Sequence, residues 1–418
     1  MIKCKIKDIV TLSTATLVPQ QGVAYHLYSL PSYDKGKQRE EVMGENILSN
    51  KFIVPDKCIL FNKLNVRFRR VWRIDNTDNN KLASTEFLPL IVDEEKVDFQ
   101  YCYYLLISDS ITKYLSDQNT NTSGSHKRIS PDDFLNIDIT LPKMEEQKRI
   151  GCFLSSIDKK IDVNYAINQN LEALAKQLYD YWFVQFDFPN KEGKPYKSSG
   201  GKMVWNEVLK RNIPEGWHCG NLFEIAKFTN GLACQKFRPK DGETPLPVIK
   251  IREMRDGFTA DTEEVTPNIP DAVKVFNGDI LFSWSASLEV MLWAFGEGGL
   301  NQHIFKVTSA NGFPKSFYYY QLLDYIDVFK KMAEARKTTM GHITQDHLQQ
   351  STIAIPDDKK IADEFEKRIS PVFDQMVKLQ EEILALTKQR DELLPLLMNG
   401  QVSLNSDLSI YYTFYKYT

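Results

Sequence analysis

The sequence lacks the cysteine spacing of a zinc site and of a disulfide-bonded scaffold. Its 418 residues contain six cysteines, of which no two form a CxxC pair or share the spacing of metal ligands. We interpret them as small core residues of a chain in a reducing compartment, with a zinc site as the alternative. The cysteines are Cys4, Cys58, Cys102, Cys152, Cys219 and Cys234.

Long apolar runs are also absent. No segment approaches the roughly 20 apolar residues that cross a bilayer, and the first residues, MIKCKIKDIV, lack the apolar core of a signal peptide. These absences predict a cytoplasmic protein with no membrane segment. The formal net charge of -3 argues against a globally basic surface, so a nucleic-acid site would have to be a local patch.

Familiar catalytic motifs are missing. The chain has no GxxxxGK(S/T) phosphate loop, no HExxH zinc helix, no GxSxG elbow and no glycine-rich dinucleotide fingerprint. It also lacks the aromatic four-residue motif with which adenine and cytosine methyltransferases hold a flipped base. We therefore expect neither methyl transfer by this chain nor a cofactor or metal of its own.

One enzymatic alternative stays open. Metal-dependent DNA cleavage requires clustered carboxylates and a lysine, and the segments VPDK and EEK supply Asp56, Glu94 and Lys96. Such short combinations occur often by chance. A stand-alone metal-dependent DNA nuclease is the alternative function that these three residues allow.

An internal repeat runs through the chain. The segment ITLPKMEEQKRI at 139–150 recurs as IAIPDDKKI at 353–361, with Pro142 and Pro356 lying 214 residues apart. Before these joints, Ile59, Leu60 and Phe61 align with Ile280, Leu281 and Phe282. Both of these surrounding segments predict a turn, a buried strand, a polar loop and a second strand.

Each joint is followed by a pattern in which seam residues alternate steps of three and four, which predicts a long helix with one narrow apolar seam. Because the two helices come from duplicated units, we expect them to pack antiparallel within the chain. A coiled-coil arm of a protein adaptor is the alternative. We expect Pro371 to break or kink the second helix near Ser370. The seam residues are Ile150, Leu154, Ile157, Ile161, Asn164, Asn168, Leu171, Ala175, Leu178 and Trp182 in the first helix, and Ile361, Phe365, Ile369, Val372, Met376, Leu379, Ile383, Leu386, Arg390 and Leu393 in the second.

Basic and polar side chains cluster in both globular units. Arginine suits bidentate contacts with guanine and phosphate, lysine neutralises phosphate, and asparagine or glutamine can pair with adenine. A solvated strand face and ordinary helix capping by Ser130 and Thr344 are the competing explanations. Lys250, Arg252 and Arg255 follow one another in strand-like alternation. The predicted DNA-binding residues are Lys63, Arg67, Arg69, Arg70, Arg73, His126, Lys127 and Arg128 in the first unit, and Lys236, Arg238, Lys250, Arg252, Arg255, Ser283, Trp284, Asn301, Gln302, His303, Lys337 and His342 in the second.

The ordered set of motifs resembles the DNA-specificity subunit of type I restriction-modification systems. The resemblance rests on LPKMEEQKRIGCFLSSIDKKID and IPDDKKIADEFEKRISPVFDQM, on PVIKIREMRD at 247–256, on GDILFSWSASLEVMLWAFGEGGLNQHIFKV, and on LLPLLMNGQVSL at 393–404. It covers nearly the whole chain.

The resemblance implies a non-catalytic subunit in which each of two target-recognition domains reads half of a bipartite, asymmetric site in double-stranded DNA. The helices would set the spacer and dock two modification subunits. Restriction subunits would join for cleavage, and S-adenosylmethionine, ATP and Mg²⁺ would belong to these partners.

The expected fold class is α+β, with two tandem α/β target-recognition domains separated by two long helices that form an intramolecular antiparallel coiled coil with a pseudo-twofold repeat. The expected domains are residues 1–145 and 199–357 for target recognition, 146–198 and 358–404 for the helical regions, and a tail at 405–418.

Overall fold

The computed structural model describes residues 2–118, 128–285, 287–335 and 343–404. They form two compact units, which we call unit 1 and unit 2. Unit 1 is the described part of residues 1–160 and 386–418, and unit 2 is the described part of residues 161–385. Each unit combines mainly antiparallel sheets with helices, as the α+β class predicted.

Unit 1 contains most of the first half of the chain. Its elements in chain order are β1 (Ile2–Lys5), β2 (Val10–Leu12), β3 (Thr16–Leu17), β4 (Ala24–Tyr28), α1 (Leu30–Asp34), β5 (Glu40–Met43), β6 (Lys51–Ile53), β7 (Lys57–Asn62), β8 (Val71–Asp75), β9 (Lys81–Ala83), β10 (Phe87–Val92), α2 (Phe99–Ile107), α3 (Asp109–Gln118), α4 (Pro131–Leu135), β11 (Asp138–Leu141) and α5 (Met144–Tyr179), the last of which continues into unit 2.

Two sheets and a strand pair organise unit 1. The main sheet has the order β2-β10-β7-β8, the second has the order β3-β6-β9-β4-β5, and β1 pairs with β11. Strand β7 lies between two cores because successive side chains of a strand point to opposite faces. Ile59 and Phe61 pack in the core beneath α2, whereas Cys58 and Leu60 pack with Trp72 in the other.

Unit 2 repeats this plan. Its elements are β12 (Met203–Asn206), β13 (Arg211–Pro214), β14 (Trp217–Gly220), α6 (Leu222–Ile225), β15 (Ala226–Asn230), β16 (Leu246–Ile249), α7 (Ile251–Asp256), β17 (Glu264–Val265), β18 (Lys274–Val275), β19 (Ile280–Ser283), β20 (Glu289–Leu292), β21 (Gly298–Leu300), β22 (Ile304–Ser309), α8 (Lys315–Ala335), α9 (Gln345–Gln349), β23 (Ile353–Pro356) and the N-terminal part of α10 (Lys360–Met398).

The topology confirms the repeat. The order β15-β22-β19-β20 matches β2-β10-β7-β8, and β14 pairs with β23 as β1 pairs with β11. The second sheet of unit 2 has the order β17-β16-β21-β18, and the second sheet of each unit contains one parallel pair, β4 with β9 and β16 with β21. The predicted hairpins are present as β7-β8 and β19-β20.

The two long helices run antiparallel within each unit. In unit 2, Asn164 Nδ2 donates to Glu382 Oε2 over 2.8 Å and Asn168 Nδ2 donates to the Met376 carbonyl over 3.3 Å. In unit 1, Arg390 Nη1 donates to Asp158 Oδ1 over 2.9 Å. These contacts join the helices of one chain, as the repeat predicted, and every predicted seam position is buried or half-buried.

The predicted interruption at Pro371 is wrong. Helix α10 is continuous from Lys360 to Met398 and passes through Pro371. A proline removes one backbone donor and crowds the preceding turn, but Ile369 and Phe373 on either side are buried in the unit 2 core. Packing of the seam therefore outweighs the local cost of the proline.

The six cysteines are free thiols, and Cys58, Cys102 and Cys234 are buried. Burial raises the pKa of Cys58 and of Cys102 to about 12, so both remain protonated core side chains at neutral pH. Among the described helices, none is long and apolar enough to cross a membrane.

Candidate nucleic-acid interface

Three loops of unit 1 meet at one end of its main sheet. The Lys63 amide, directly after β7, donates to the Glu86 carbonyl over 2.9 Å, and the Ile129 amide donates to the Lys63 carbonyl over 3.0 Å. Residues 84–86 form the loop between β9 and β10, and residues 128–129 precede α4. We call this meeting point of residues 63, 84–86 and 128–129 junction 1.

Unit 2 builds the same meeting point from equivalent loops. The Trp284 amide, directly after β19, donates to the His303 carbonyl over 3.3 Å, and the Ile343 amide donates to the Trp284 carbonyl over 3.0 Å. Residues 301–303 form the loop between β21 and β22. We call residues 284, 301–303 and 343 junction 2.

The junctions bring together residues that the sequence placed in separate clusters. Lys63 and Arg128 meet in junction 1, while Trp284 meets residues 301–303 in junction 2. The sequence analysis missed Ser84, Thr85 and Glu86, which correspond to 301–303. Only the pairing of β10 and β22 with their neighbours reveals this correspondence, since the two loops share no residue type.

The arginine-rich loop after β7 carries fewer unpaired positive charges than its sequence suggests. It turns at Asn65, whose φ is 52°, and exposes Phe68. Although no acidic residue lies between 63 and 74, acids from other elements pair with it. Arg69 contacts Asp109, and Arg70 forms a two-bond fork with Asp34 at 2.7 Å for each bond. Arg73, which lies on β8, contacts the neutral amide of Gln100 instead.

Two cations of this loop, Lys63 and Arg67, form no ion pair with a described residue, although the charge of Lys63 helps to lower the pKa of the Glu86 carboxyl. Arg67 is exposed, and its one side-chain contact is a 3.4 Å hydrogen bond from Nε to Asn65 Oδ1. These two side chains can therefore neutralise phosphate without first giving up an ion pair.

Arg128 is held by Glu86 within junction 1. Arg128 Nε donates to both carboxylate oxygens of Glu86, at 2.9 and 3.1 Å, and Nη2 donates to Oε1 at 2.6 Å. The hydrogen bonds from Arg128 lower the pKa of the Glu86 carboxyl, so the pair stays ionised at neutral pH.

The prediction of strand-like alternation at 250–255 is wrong. Lys250 precedes helix α7, and Arg252 and Arg255 lie on that helix. The buried Glu253 carboxylate accepts from the Lys250 amide and thereby caps the helix start, and Gly257 at φ 68° follows its last turn. All three cations have acidic partners. The ion pairs are Lys250 with Glu263 (2.5 Å), Arg252 with Glu253 (2.6 Å) and Arg255 with Glu289 (3.5 Å).

Lys236 and Arg238 are exposed and form no ion pair with a described residue, although the charge of Arg238 helps to lower the pKa of the Glu263 carboxyl. They lie in the segment between β15 and β16. This segment starts at Gly231, where a Cβ atom would lie 2.2 Å from the carbonyl oxygen of Asn301. Glycine therefore permits the close approach of this segment to junction 2.

The polar side chains of junction 2 differ in accessibility. Ser283 is fully buried, and its hydroxyl donates to the Ser287 carbonyl. Asn301 is also buried, whereas Gln302 and His303 are half-buried with their Nε2 atoms 3.3 Å apart. Trp284 Nε1 donates to Asn230 over 3.2 Å. Ser283 is thus a supporting residue, whereas Gln302 and His303 are partly accessible, with His303 Nδ1 buried.

Four predicted residues lie outside the described residues: His126, Lys127, Lys337 and His342. The helix starts that follow them are described. Ser130 Oγ accepts from the Asp132 amide and caps α4, and Thr344 precedes α9, where its amide donates to His347 Nδ1 over 2.9 Å. Capping therefore accounts for both of these residues.

Each of the three residues considered for a nuclease site forms an ion pair with a different residue outside that set. Asp56 contacts Lys81 at 2.7 Å, Glu94 contacts Lys57 at 2.6 Å, and Lys96 contacts Asp93 at 2.8 Å. Within the described ranges, no group of three or more His, Cys, Asp or Glu side chains could hold a metal ion. These contacts give no support to a metal centre at Asp56 and Glu94.

Comparison with known proteins follows the division into two units. A family model described as "Type I restriction modification DNA specificity domain" matches residues 3–173 and 214–389, and each range contains one junction. The specificity subunit of the type I restriction enzyme MjaIX from Methanocaldococcus jannaschii is 24% identical over 333 residues, which are 77% of this chain and 73% of the relative. The HindI specificity subunit from Haemophilus influenzae is 23% identical over 402 residues, covering 82% of this chain and 86% of the relative.

The fold has a solved relative. The crystal structure of the S subunit of a type I restriction-modification system from M. genitalium superposes with a TM-score of 0.58. It is 15% identical in sequence, and the match covers 95% of each chain.

Proposed function

The chain belongs to the type I restriction-modification DNA specificity family, whose members are non-catalytic DNA-recognition subunits, and we propose that it reads a bipartite, asymmetric sequence in double-stranded DNA. The observation that carries this proposal is the duplicated junction. Junction 1 and junction 2 share their backbone hydrogen bonds, and apart from the equivalent Ile129 and Ile343 their described side chains differ. Equivalent positions with different side chains read different bases.

The distribution of cations supports separate roles for phosphate and base contacts. Lys63 and Arg67 in unit 1, and Lys236 and Arg238 in unit 2, form no ion pair with a described residue and would neutralise phosphates. The paired arginines are fixed in direction, which suits contacts that depend on geometry. The other predicted DNA-binding residues lie in the same segments of the sequence as the unpaired cations and the paired arginines, or in neighbouring segments.

We extend the proposal to the organisation of the chain. Residues 1–145 and 199–357 are the target-recognition domains, and residues 146–198 and 358–404 are helical regions that set the unread spacer and dock two modification subunits. Methyl transfer with S-adenosylmethionine belongs to those subunits, and ATP-dependent cleavage with Mg²⁺ belongs to restriction subunits. A protein that reads cellular and incoming DNA would act in the cytoplasm, which is the location we propose.

The test is methylation by the complete complex. The chain combined with the modification subunits of its own system should methylate DNA at a two-part motif, and the chain alone should methylate nothing. Sequencing of modified sites checks this. Methylation by the chain alone, or at a single uninterrupted motif, would contradict the proposal.

A matched pair of variants tests the two junctions separately. Thr85 and Gln302 are the middle residues of the equivalent loops 84–86 and 301–303. Thr85→Ala should alter base preference in one half-site only, and Gln302→Ala in the other half-site only. Changes in both halves from either variant would show that the two units do not read independently.

A further inference from the structure

Arg128 presents one specific edge of its guanidinium group to solvent. A guanidinium has a side edge, formed by Nε and one terminal nitrogen, and an end edge, formed by both terminal nitrogens. Glu86 occupies the side edge through the bonds from Nε and Nη2. No described residue accepts from Nη1, so the two parallel N–H groups of the end edge remain available.

Both members of this pair are anchored through their backbones. The Glu86 carbonyl accepts from the Lys63 amide, and Arg128 forms an isolated bridge with Leu64. The Arg128 side chain is 51% exposed, while that of Glu86 is 21% exposed. The carboxylate therefore fixes the plane and direction of a guanidinium whose outer edge is accessible.

The available edge matches one base. In the major groove guanine offers two adjacent acceptors, O6 and N7, whereas adenine offers an acceptor beside a donor and cytosine offers a donor. Two parallel donors fit guanine alone among these edges. On the basis of the proposed function, we propose that Arg128 reads a guanine in the half-site of the first unit, and that Glu86 is the positioning residue that orients it.

The charge of Glu86 favours a base contact over a phosphate contact. A carboxylate 2.6 Å from Nη2 repels a phosphate that approaches the same guanidinium. A base edge is uncharged, so the pair can meet it without like-charge repulsion. Arg67, which has no carboxylate partner in the described chain, has the surroundings expected of a phosphate contact instead.

A second forked arginine shows what a structural role looks like in this unit. Arg70 also gives its side edge to a carboxylate, that of Asp34. Its side chain is only 18% exposed, and its guanidinium carbon lies 4.9 Å from the Phe68 ring centre. Arg70 therefore braces its own loop, whereas Arg128 presents its free edge outward.

The described residues of junction 2 contain no such forked arginine–carboxylate pair. His303 occupies the position of Glu86, and its ring contacts Gln302 and Trp284. The guanine preference of Arg128 should therefore be confined to one half of the recognised sequence. The other half serves as an internal control in the same DNA molecule.

The experiment uses the chain in complex with its modification subunits and a library of duplexes in which each base of the recognised motif is varied. Arg128→Ala should reduce the preference for guanine over other bases at one position of one half-site by about 5- to 150-fold. Glu86→Gln, which keeps the shape but loses the charge, should reduce the preference at the same position by less. Preference in the other half-site should be unchanged, which also shows that the variants are folded.

Arg67→Ala is the matched control, since it removes another exposed arginine of the same unit. It should weaken binding to all sequences equally and lower the slope of log affinity against log salt concentration by about one. If Arg128→Ala behaves in the same way, Arg128 contacts phosphate and the inference is wrong. If it changes neither affinity nor preference, the Arg128–Glu86 contact is only a surface ion pair and the inference is again wrong.

These failures differ from failure of the proposed function. If the wild-type complex recognises no two-part motif, the proposed function falls. If it recognises such a motif and Arg128→Ala leaves every position intact, only the assignment of Arg128 falls.

Discussion

At the scale of single residues, His218 combines two acidic partners at the edge of unit 2. Its Nδ1 lies 2.5 Å from Asp357 Oδ1, and its Nε2 lies 3.2 Å from Glu224 Oε2. Burial alone would lower the pKa of His218, but the hydrogen bonds and charges of Asp357 and Glu224 outweigh burial and raise it. Protonated His218 therefore links β14 to the turn before α10.

The raised pKa of His218 predicts a pH-dependent contribution to the free energy of unfolding. A histidine whose pKa is raised on folding stabilises the protein fully below its unfolded pKa of about 6.5, and the contribution is lost as the pH rises through the folded pKa. We expect His218→Gln to lower the free energy of unfolding more at about pH 6 than at about pH 9. Urea denaturation of both proteins at each pH measures the difference.

Asp357→Asn is the control for this prediction. It removes the charge nearest to His218 while leaving the ring in place, so it should also weaken the pH dependence. Parallel stability profiles for wild type and His218→Gln between those pH values would contradict the proposed ion-pair contribution.

For single residues, the sequence located the cations but did not reveal which side chains pair with them. The cluster from Lys63 to Arg73 is visible as a run of residues, but Asp34 and Asp109, which neutralise two of its arginines, come from other elements. Glu86 was missed for the same reason. Its role depends on backbone contacts between loops far apart in the chain, and no local pattern encodes these contacts.

At the scale of elements, the seam of the long helices contains one charged cluster. In unit 1, Asp158 accepts from Arg390 and from the Tyr104 hydroxyl, the latter over 2.5 Å. The Asp158 and Arg390 side chains are 15% and 24% exposed. The sequence showed Arg390 as an exception on an apolar seam, and the structure shows that it pairs across the seam.

Removing the charge of Asp158 should destabilise unit 1. Asp158→Asn leaves Arg390 without its partner across the seam, and we expect a loss of about 1–3 kcal/mol in the free energy of unfolding. Asp391→Asn is the matched control because Asp391 also pairs with Arg390 but is 60% exposed. It should cost less than about 0.5 kcal/mol. Chemical denaturation measures the loss in the free energy of unfolding for each variant. Equal losses for the two variants would contradict a role for Asp158 in helix pairing.

The long elements were predictable because each repeats a strong signal over many residues. Seam residues spaced by alternating steps of three and four predicted α5 and α10. The aligned Ile-Leu-Phe segments at 59–61 and 280–282 predicted β7 and β19. Strands such as β3 and β17 have two residues each and carry no periodicity. The prediction at Pro371 was wrong because the rule that proline interrupts a helix considers only the local sequence. Buried residues on either side of Pro371 keep α10 helical.

At the scale of the whole molecule, the units divide within helices. The boundaries lie between residues 160 and 161 in α5 and between residues 385 and 386 in α10. The repeat predicted two similar units, and their common topology confirms it. The bases that each unit reads could not be predicted, since they depend on side chains at the junctions that differ between the two copies.

The position of these boundaries suggests a test of the proposed spacer function. Seven residues of helix-forming sequence are inserted in both helices, after Ile161 and after Ala385. Seven residues preserve the seam period and add about 10.5 Å of helix. The complex with its modification subunits should then recognise the same two half-site sequences separated by a different number of bases, as sequencing of methylated DNA would reveal.

Insertion into α5 alone is the control. It leaves the two seam residues of the inserted heptad without partners in α10, so it should lower thermal stability and methylation together. The paired insertion should retain stability because each added seam residue meets a partner. If the paired insertion keeps methylation at the original spacing, the helices do not determine the spacer, and the distance between half-sites must be fixed by contacts outside α5 and α10.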